Sequence, residues 1–259
     1  MIDNKTSDFI KSSIGSDFDF SIILGSGLKP LLSSITDTIK IPYKEIPGFP
    51  VSTVKGHHGQ IVAGCIGQKK VIGFDGRFHL YEGYHLNEVI QPVIVSDALG
   101  VKNLIVSNAA GGIQMDMSVG DIMFIKDYIN FQHCEIDIKG DNNGSIDGAL
   151  LTSAREIALQ SEIAVKEGVY VGVLGPTFET PAEYKMFHRF GGDAIGMSTV
   201  PELMVAKVLG MDVFAVSVIV DIGYPTSEII EISHDIVLDE AEKAAPKLLQ
   251  IVEKLIELN

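Results

Sequence analysis

Short apolar runs alternate along the chain with longer segments in which apolar residues recur every three or four positions. The short runs are rich in β-branched residues and predict strands over residues 21–24, 60–65, 70–74, 103–107, 122–125, 168–174, 194–197 and 213–220. The longer segments predict helices over residues 6–14, 86–99, 149–160, 181–190, 200–209 and 234–258. Pro246 lies inside the last helix and predicts a kink or a break, because proline lacks a backbone donor.

The alternation of strands and helices indicates an α/β fold, with a largely parallel or mixed sheet covered by helices. No linker, repeat or low-complexity tract divides the 259 residues, so we expect a single domain over residues 1–259. Ligands of such sheets bind beyond the carboxyl ends of the strands. Several motifs of this chain directly follow a predicted strand, which predicts a binding site at that edge.

Composition narrows the possible partners. The formal net charge of −14 argues against nucleic acid and acidic membranes, because both require a basic surface. No apolar run has the length of a membrane span and the first residues do not resemble a secretory signal, so we expect a cytoplasmic protein. Cys65 and Cys134 show no spacing typical of a disulfide framework or a metal site, and we expect no metal.

The segment GPTFETPAE at residues 175–183 places Glu179 between a β-branched run and a predicted helix. A carboxylate at such a turn accepts hydrogen bonds from two N–H groups on one edge of a heterocycle, and exclusion of water makes those bonds selective. A structural interpretation is equally consistent with the pattern: Thr180 and Glu183 form a capping box at the start of the helix.

The segment GRFHLYEGY at residues 76–84 follows a predicted strand and indicates an anion site. Arg77 supplies a planar, permanently charged group that suits phosphate. In an extended conformation Arg77, His79 and Tyr81 point to the same side, which would bring a cation, an imidazole and a phenol into one pocket. The alternative is a half-exposed strand whose arginine is ion-paired.

Four further segments give weaker signals. Ser26 lies in GSGL, where glycines let backbone amides approach an oxyanion, although a plain β–α turn has the same pattern. His57 lies in GHHG, where a loop histidine either binds an anion or is merely exposed. The small residues of NAAGG at 108–112 permit close approach of the backbone to a sugar or an anion. Ser233 is typical of a helix N-cap, with His234 opening the final helix.

Taken in order, these segments resemble the purine nucleoside phosphorylase family of the trimeric type, and LGSGL, IPGFP and GMSTVPE extend the likeness over most of the chain. The resemblance implies a single α/β domain with a mixed, partly barrel-like sheet flanked by helices. It implies a pentosyltransferase of purine salvage, in which inorganic phosphate reversibly attacks C1′ of a purine nucleoside. The products are the free base and α-ribose 1-phosphate. No metal or organic cofactor is implied, phosphate being a co-substrate, and the expected assembly is a homotrimer.

The resemblance also implies roles for individual residues. Phosphate contacts are expected from Ser26, His57, Arg77, His79, Ala109 and Ser198. Nucleoside contacts are expected from Tyr81, Tyr170, Phe178, Glu179, Met197, Asp221 and His234. Among these residues, the chemistry is expected to depend on His79, Glu179, Asp221 and His234.

The chain departs from the family pattern at Asp221, where the family has an asparagine. An ionised Asp221 only accepts hydrogen bonds, which suits a 6-amino purine and repels a 6-oxo purine, whereas a protonated Asp221 regains a donor. We therefore expect weaker discrimination between the two purine classes than is usual in the family. The related methylthioadenosine phosphorylases also use acids here, but Gly223 lacks their second aspartate. A non-catalytic nucleoside-binding protein is the alternative from another class.

Two other departures concern the neighbourhood of the predicted site. Asp75 replaces an uncharged residue, and its closeness to Arg77 would tune or weaken the phosphate clamp. Residues 130–165 form a short segment without the phenylalanine that a neighbouring subunit lends to the ribose pocket, and Phe131 is the nearest aromatic residue.

Overall fold

The computed structural model describes residues 4–25, 29–52, 58–135, 146–225 and 234–259, with only the backbone described for Asn4 and His234. The strands in these ranges are β1 (Phe20–Ile23), β2 (Thr36–Pro42), β3 (Gln60–Ile66), β4 (Lys69–Asp75), β5 (Asn103–Gly112), β6 (Ile122–Phe131), β7 (Lys166–Val173), β8 (Ala194–Gly196) and β9 (Asp212–Ile222). The α-helices are α1 (Asn4–Ile14), α2 (Leu86–Val89), α3 (Gln91–Ala98), α4 (Ala149–Gln160), α5 (Pro181–Arg189), α6 (Val200–Val208) and α7 (His234–Leu258).

All nine of these strands form one sheet in the order β2-β3-β4-β1-β5-β8-β7-β6-β9. An additional pairing joins β5 to β9, so the five strands from β5 to β9 close into a barrel-like ring. Pairing is parallel between β1 and β4, β1 and β5, β5 and β9, β6 and β7, and β7 and β8, and antiparallel elsewhere. The predicted α/β fold with a mixed, partly barrel-like sheet is confirmed.

Helices cover both faces of the sheet with apolar side chains, which form two large core clusters. On α7 the buried positions recur every three or four residues, as at Ala241, Ala245 and Leu248, and they pack with α4 in one core cluster. A second cluster joins α3 and α6 to the other side of the sheet, with Val93 and Leu203 fully buried. The sheet edge that carries the site is therefore held by packing on both faces.

Most predicted elements agree with the structure to within two residues at either end. The edge strand β2 was missed because five of its seven residues are exposed. Exposed positions need no apolar side chains, so the sequence of β2 lacks the apolar pattern that predicts a strand. Both β5 and β6 extend well beyond their predicted ends. The residues of NAAGG, predicted to follow β5, instead lie within it and pair with β8 and β9.

Two predictions about helices need correction. The single helix predicted over residues 86–99 is two helices, since α2 ends at Val89 and Pro92 lies in the first turn of α3. Pro246 does not break α7, which continues past it to Leu258. None of the helices in the described ranges combines the length and the apolarity that crossing a bilayer requires.

Candidate active site

A cavity of about 230 Å³ opens at the edge of the sheet where β4, β7, β8 and β9 end. Its wall includes nine of the residues predicted to contact substrate, namely Arg77, His79, Tyr81, Ala109, Phe178, Glu179, Met197, Ser198 and Asp221. These residues come from four strand ends and from the middle of β5. The location agrees with the prediction that ligand binds at the carboxyl ends of the strands.

The four other predicted site residues are Ser26, His57, Tyr170 and His234. Ser26 and His57 lie outside the described residues, and so does the side chain of His234, although α7 does begin at His234. Tyr170 was predicted to line the pocket, but it is fully buried behind the wall, where its hydroxyl accepts a hydrogen bond from the Ser198 backbone N–H (3.3 Å). It therefore supports the cavity wall.

Arg77 anchors one group of side chains, which we call the Arg77 group and which includes Ser198 and Glu202. The guanidinium is only 1% exposed. Its Nη1 donates to the Ser107 carbonyl (2.9 Å) and to Ser198 Oγ (3.0 Å), and its Nη2 donates to Glu202 Oε2 (3.0 Å). Burial raises the pKa of Glu202 while the ion pair with Arg77 opposes that rise. Arg77 is thus a fixed cation at the cavity wall.

Glu202 is the charge partner that sequence reasoning did not assign, although it belongs to the GMSTVPE segment. It is 1% exposed and lies in α6, where most of its neighbours are apolar. A lone carboxylate in so apolar a helix is the signal that would have pointed to a buried cation. Asp75, which we expected beside Arg77, accepts from Gln60 Nε2 (2.8 Å) and lies 3.5 Å from His58 Nδ1.

His79 and Tyr81 share the cavity, but not through the extended conformation we predicted. The backbone enters a short 3₁₀ turn at Leu80–Glu82, and the two rings stack with centroids 4.8 Å apart. His79 Nδ1 lies 2.8 Å from Glu82 Oε1, which also accepts from the His79 backbone N–H (2.9 Å). Because Nδ1 faces a carboxylate it carries a proton, and the imidazole is held in one orientation.

Thr199 holds a strained position beside the Arg77 group. Its φ angle is 72°, a left-handed value that is unfavourable for a β-branched residue. The hydroxyl accepts from Asn108 Nδ2 (2.9 Å) and lies 3.0 Å from Ser198 Oγ. The strain therefore accompanies a hydrogen-bond network that fixes Ser198 at the cavity wall.

Glu179, Tyr184 and Asp221 form the second group of side chains, which we call the acid group. All three side chains line the cavity, and the two carboxyl groups lie close enough to Tyr184 to affect its ionisation. Burial raises the pKa of Glu179 to about 7 and that of Asp221 to about 6, while the neighbouring Tyr184 hydroxyl lowers both pKa values. Burial and the two acids raise the pKa of Tyr184 itself, so its hydroxyl keeps its proton.

Both interpretations of GPTFETPAE are consistent with the structure. Thr180 Oγ1 accepts from the Glu183 backbone N–H (3.3 Å), and Glu183 Oε2 accepts from the Thr180 backbone N–H (2.7 Å), which is the capping box of α5. Glu179 precedes this cap and lines the cavity. The cap thus fixes the start of α5 and, with it, the position of the Glu179 carboxylate.

Tyr184 is a site residue that sequence reasoning missed, because an aromatic residue in an amphipathic helix is usually a core residue. Its ring packs on Gly223, where an added Cβ would lie 2.3 Å from the ring carbons. A second acid at position 223 and the Tyr184 ring therefore exclude each other.

Phe131, the nearest aromatic residue of the altered segment, packs on Phe187 and Phe190 with centroids 5.0 and 6.1 Å away.

The fold and the cavity define a phosphorylase. The sequence profile of the phosphorylase superfamily matches residues 19–257. Purine nucleoside phosphorylase 1 of Bacillus subtilis is 41% identical over 260 residues, covering 96% of this chain and 95% of the relative. The purine nucleoside phosphorylase of Rattus norvegicus is 38% identical over 269 residues, covering 98% and 93%.

Solved structures of purine nucleoside phosphorylases have the same fold as this chain. Isoform 2 of the Schistosoma mansoni purine nucleoside phosphorylase, in complex with cytosine and ribose-1-phosphate, superposes with a TM-score of 0.89 at 37% identity, covering 97% of this chain and 94% of that one. The Schistosoma mansoni enzyme in complex with adenosine gives a TM-score of 0.88 at 35% identity, covering 98% and 95%. This chain belongs to the purine nucleoside phosphorylases, a family of pentosyltransferases, as its motifs predicted.

Proposed function

We propose that the chain catalyses the reversible phosphorolysis of purine ribo- and deoxyribonucleosides in purine salvage. A phosphate oxygen forms a bond to C1′ while the bond from C1′ to N9 breaks, and the electron pair of that bond leaves with the purine. The products are the free base and the α-pentose 1-phosphate. The observation that supports this best is that one cavity contains both a buried cation, Arg77, and a pair of carboxyl groups, Glu179 and Asp221.

The Arg77 group suits the phosphate. Bond breaking builds positive charge on the sugar, so a bound anion serves both as nucleophile and as an opposing charge. Arg77 and Ser198 supply hydrogen-bond donors to the phosphate. The small side chain of Ala109 lets the phosphate approach the backbone closely, and Glu82 holds the His79 ring nearby. Ser26 and His57 would complete the phosphate site. Phosphate is a co-substrate in this scheme, which requires no metal or organic cofactor.

The acid group suits the purine. An ionised Glu179 accepts from N1–H of a 6-oxopurine, and a protonated Asp221 donates to N7 as negative charge develops on the departing base. Phe178, which is 46% exposed at the cavity wall, would cover the base. Tyr81 and Met197 would contact the ribose, and His234 would reach its 5′-hydroxyl. The sugar then lies between the two groups, where the bond breaks.

The direct test is whether inosine is split only when phosphate is present. We expect release of hypoxanthine together with one equivalent of ribose 1-phosphate, and no release in phosphate-free buffer. A coupled assay that oxidises hypoxanthine measures the rate. Cleavage without phosphate would make the protein a hydrolase. Tight binding of inosine without cleavage would make it the non-catalytic binding protein.

Replacement of Thr199 by valine, which removes the hydroxyl but keeps the branched shape, tests the assignment of the phosphate site. We expect KM for phosphate to rise by about tenfold, because the Ser198 hydroxyl loses the neighbour that fixes it at the cavity wall, with a smaller change in KM for inosine. Thr199→Ser keeps the hydroxyl and should stay near the parent. Equal changes in both KM values would show that the variant only loosens the fold.

An enzyme that prefers adenosine or methylthioadenosine is the second candidate, and Asp221 is the observation that favours it. The same fold supports both candidate activities. The kcat/KM values for inosine, guanosine, adenosine and methylthioadenosine therefore decide which nucleoside class the enzyme prefers. The Tyr184 ring occupies the space that a second acid at position 223 would need, which weighs against methylthioadenosine.

We further propose a cytoplasmic homotrimer, on the basis of the family likeness. Sedimentation equilibrium should give the mass of three 28.0 kDa chains. A monomer with full activity would show that no neighbouring subunit is needed to complete the ribose pocket.

A further inference from the structure

Two hydroxyl groups lie side by side at the phosphate end of the cavity, and each is able to donate to the other. Ser198 Oγ and Thr199 Oγ1 are 3.0 Å apart. A hydroxyl group donates one hydrogen and accepts two hydrogen bonds. The direction of the bond between the two oxygens therefore decides whether the Ser198 hydrogen is used on Thr199 or is left for a ligand in the cavity.

Arg77 occupies an acceptor position on both hydroxyl groups. A guanidinium only donates hydrogen bonds. Its Nη1 donates to the Ser107 carbonyl (2.9 Å), to Ser198 Oγ (3.0 Å) and, at a longer distance, to Thr199 Oγ1 (3.4 Å). Because both hydroxyl groups accept from the same nitrogen, Arg77 does not by itself decide which of them donates to the other.

Asn108 donates to one of the two hydroxyl groups. It lies on β5 at the cavity wall, is 1% exposed, and its Nδ2 donates to Thr199 Oγ1 (2.9 Å). The Asn108 Oδ1 atom has no hydrogen-bond partner in the described part of the chain. The reverse orientation of the amide would leave buried N–H groups unpaired, which proteins tolerate less well than an unpaired carbonyl oxygen. The amide therefore presents N–H to Thr199.

This donation sets the direction of the next two hydrogen bonds. With Asn108 and Arg77 both donating to it, the Thr199 oxygen has no acceptor position left, so its own hydrogen goes to Ser198. The Ser198 oxygen then accepts from Thr199 and from Arg77, and both of its acceptor positions are filled. The Ser198 hydrogen is left for the cavity, where an anion supplies the acceptor.

We propose that Asn108 is a positioning residue for phosphate, which acts through Thr199 to keep Ser198 a hydrogen-bond donor toward the cavity. Donation runs from the Asn108 amide to Thr199, from Thr199 to Ser198, and from Ser198 to a phosphate oxygen. No covalent bond changes along this chain. The opposite direction would present a Ser198 lone pair to the anion and repel it. The proposal rests on the proposed function, because it requires phosphate to bind beside Ser198.

The first experiment removes the amide. Asn108→Leu keeps a side chain of similar size, and KM for phosphate should rise by about tenfold while KM for inosine changes by less than about twofold. Asn108→Ala makes the same test with a smaller side chain if leucine does not fit. Equal rises in both KM values, in whichever variant folds, would show that Asn108 only supports the packing of β5 and would overturn the proposal.

Ser217 provides the matched control for these variants. It lies directly opposite Asn108 on β9 and is fully buried, and its hydroxyl has no hydrogen-bond partner among the described residues. Ser217→Ala thus removes a buried polar group from the paired position without touching the chain of donors. Both KM values should stay within about twofold of the parent.

A double-mutant cycle tests whether Asn108 acts through Ser198. Ser198→Ala removes the last donor of the chain, so adding Asn108→Leu to it should raise the Kd for phosphate, measured by calorimetry, by less than about threefold. The same tenfold loss in both backgrounds would show that Asn108 affects phosphate by another route, and the proposal would be wrong.

Neutron diffraction of the deuterium-exchanged protein with phosphate observes the direction itself. We expect the Thr199 deuterium to point to Ser198 Oγ and the Ser198 deuterium to point to a phosphate oxygen. A Ser198 deuterium that points to Thr199 would overturn the proposal.

These measurements separate this proposal from the proposed function. A parent that binds phosphate with this order of donation, but does not split inosine, would retain the role of Asn108 and lose the enzymatic assignment. A parent that splits inosine with phosphate, with additive effects of Asn108→Leu and Ser198→Ala, would retain the enzyme and lose the role of Asn108.

Discussion

Replacement of Arg77 by methionine should lower kcat/KM for inosine phosphorolysis by about a hundredfold or more. The loss of a buried cation removes both a charge-assisted contact to phosphate and the partner that orients Ser198. The defect should appear in the phosphate dependence of the rate, whereas binding of hypoxanthine to the acid group should change much less. Steady-state kinetics at varied phosphate, together with calorimetry of base binding, would measure both.

Arg155 provides the matched control for that variant. It is one of three arginines in the chain and also pairs with acids, Asp147 and Glu167, but it is about one third exposed and lies on the surface. Arg155→Met should therefore leave kcat/KM within about twofold, since exposed ion pairs contribute little. Near-normal turnover of Arg77→Met at low phosphate would remove Arg77 from the phosphate site.

Replacement of Glu202 by leucine should destabilise the protein by about 3–5 kcal/mol, because it leaves the Arg77 guanidinium buried without its carboxylate. The matched control is Glu167→Leu, which breaks the exposed pair with Arg155 and should cost about 1 kcal/mol or less. Chemical denaturation of both variants against the parent measures the difference.

A double variant separates stability from activity at this ion pair. Arg77→Met with Glu202→Leu replaces both charges by apolar side chains and should recover most of the stability that either single change loses. It should remain inactive, because the cation is gone. A double variant as unstable as Glu202→Leu alone would show that packing, and not the unpaired charge, causes the loss.

Local sequence patterns were sufficient for most elements of this fold but not for its closure. The alternation of β-branched runs and amphipathic segments is local, so strands and helices were predicted close to their true ends. The ring forms because β5 pairs with both β8 and β9, and no pattern within β5 encodes two partners. The barrel-like character came only from the family resemblance. The exposed edge strand β2 left no signal.

The site shows the same division between local and distant information. Arg77, Glu179 and Asp221 follow or end strands, so their motifs indicated the edge of the sheet at which the cavity opens. Their partners were not predictable in this way. Glu202 lies 125 positions from Arg77 along the chain. Tyr184 belongs to a helix whose periodicity assigns it to the core, and only the folded chain shows it in the cavity wall with Glu179 and Asp221.

The contact between Gly223 and the Tyr184 ring constrains how this enzyme can diverge. Any residue larger than glycine at position 223 collides with the ring, whereas loss of the ring alone leaves a void in the cavity wall that Glu179 and Asp221 also line. Neither change is tolerable by itself, so descendants that acquire a side chain at position 223 must alter both positions together. This contact predicts that, among natural variants, glycine at position 223 will accompany tyrosine at position 184.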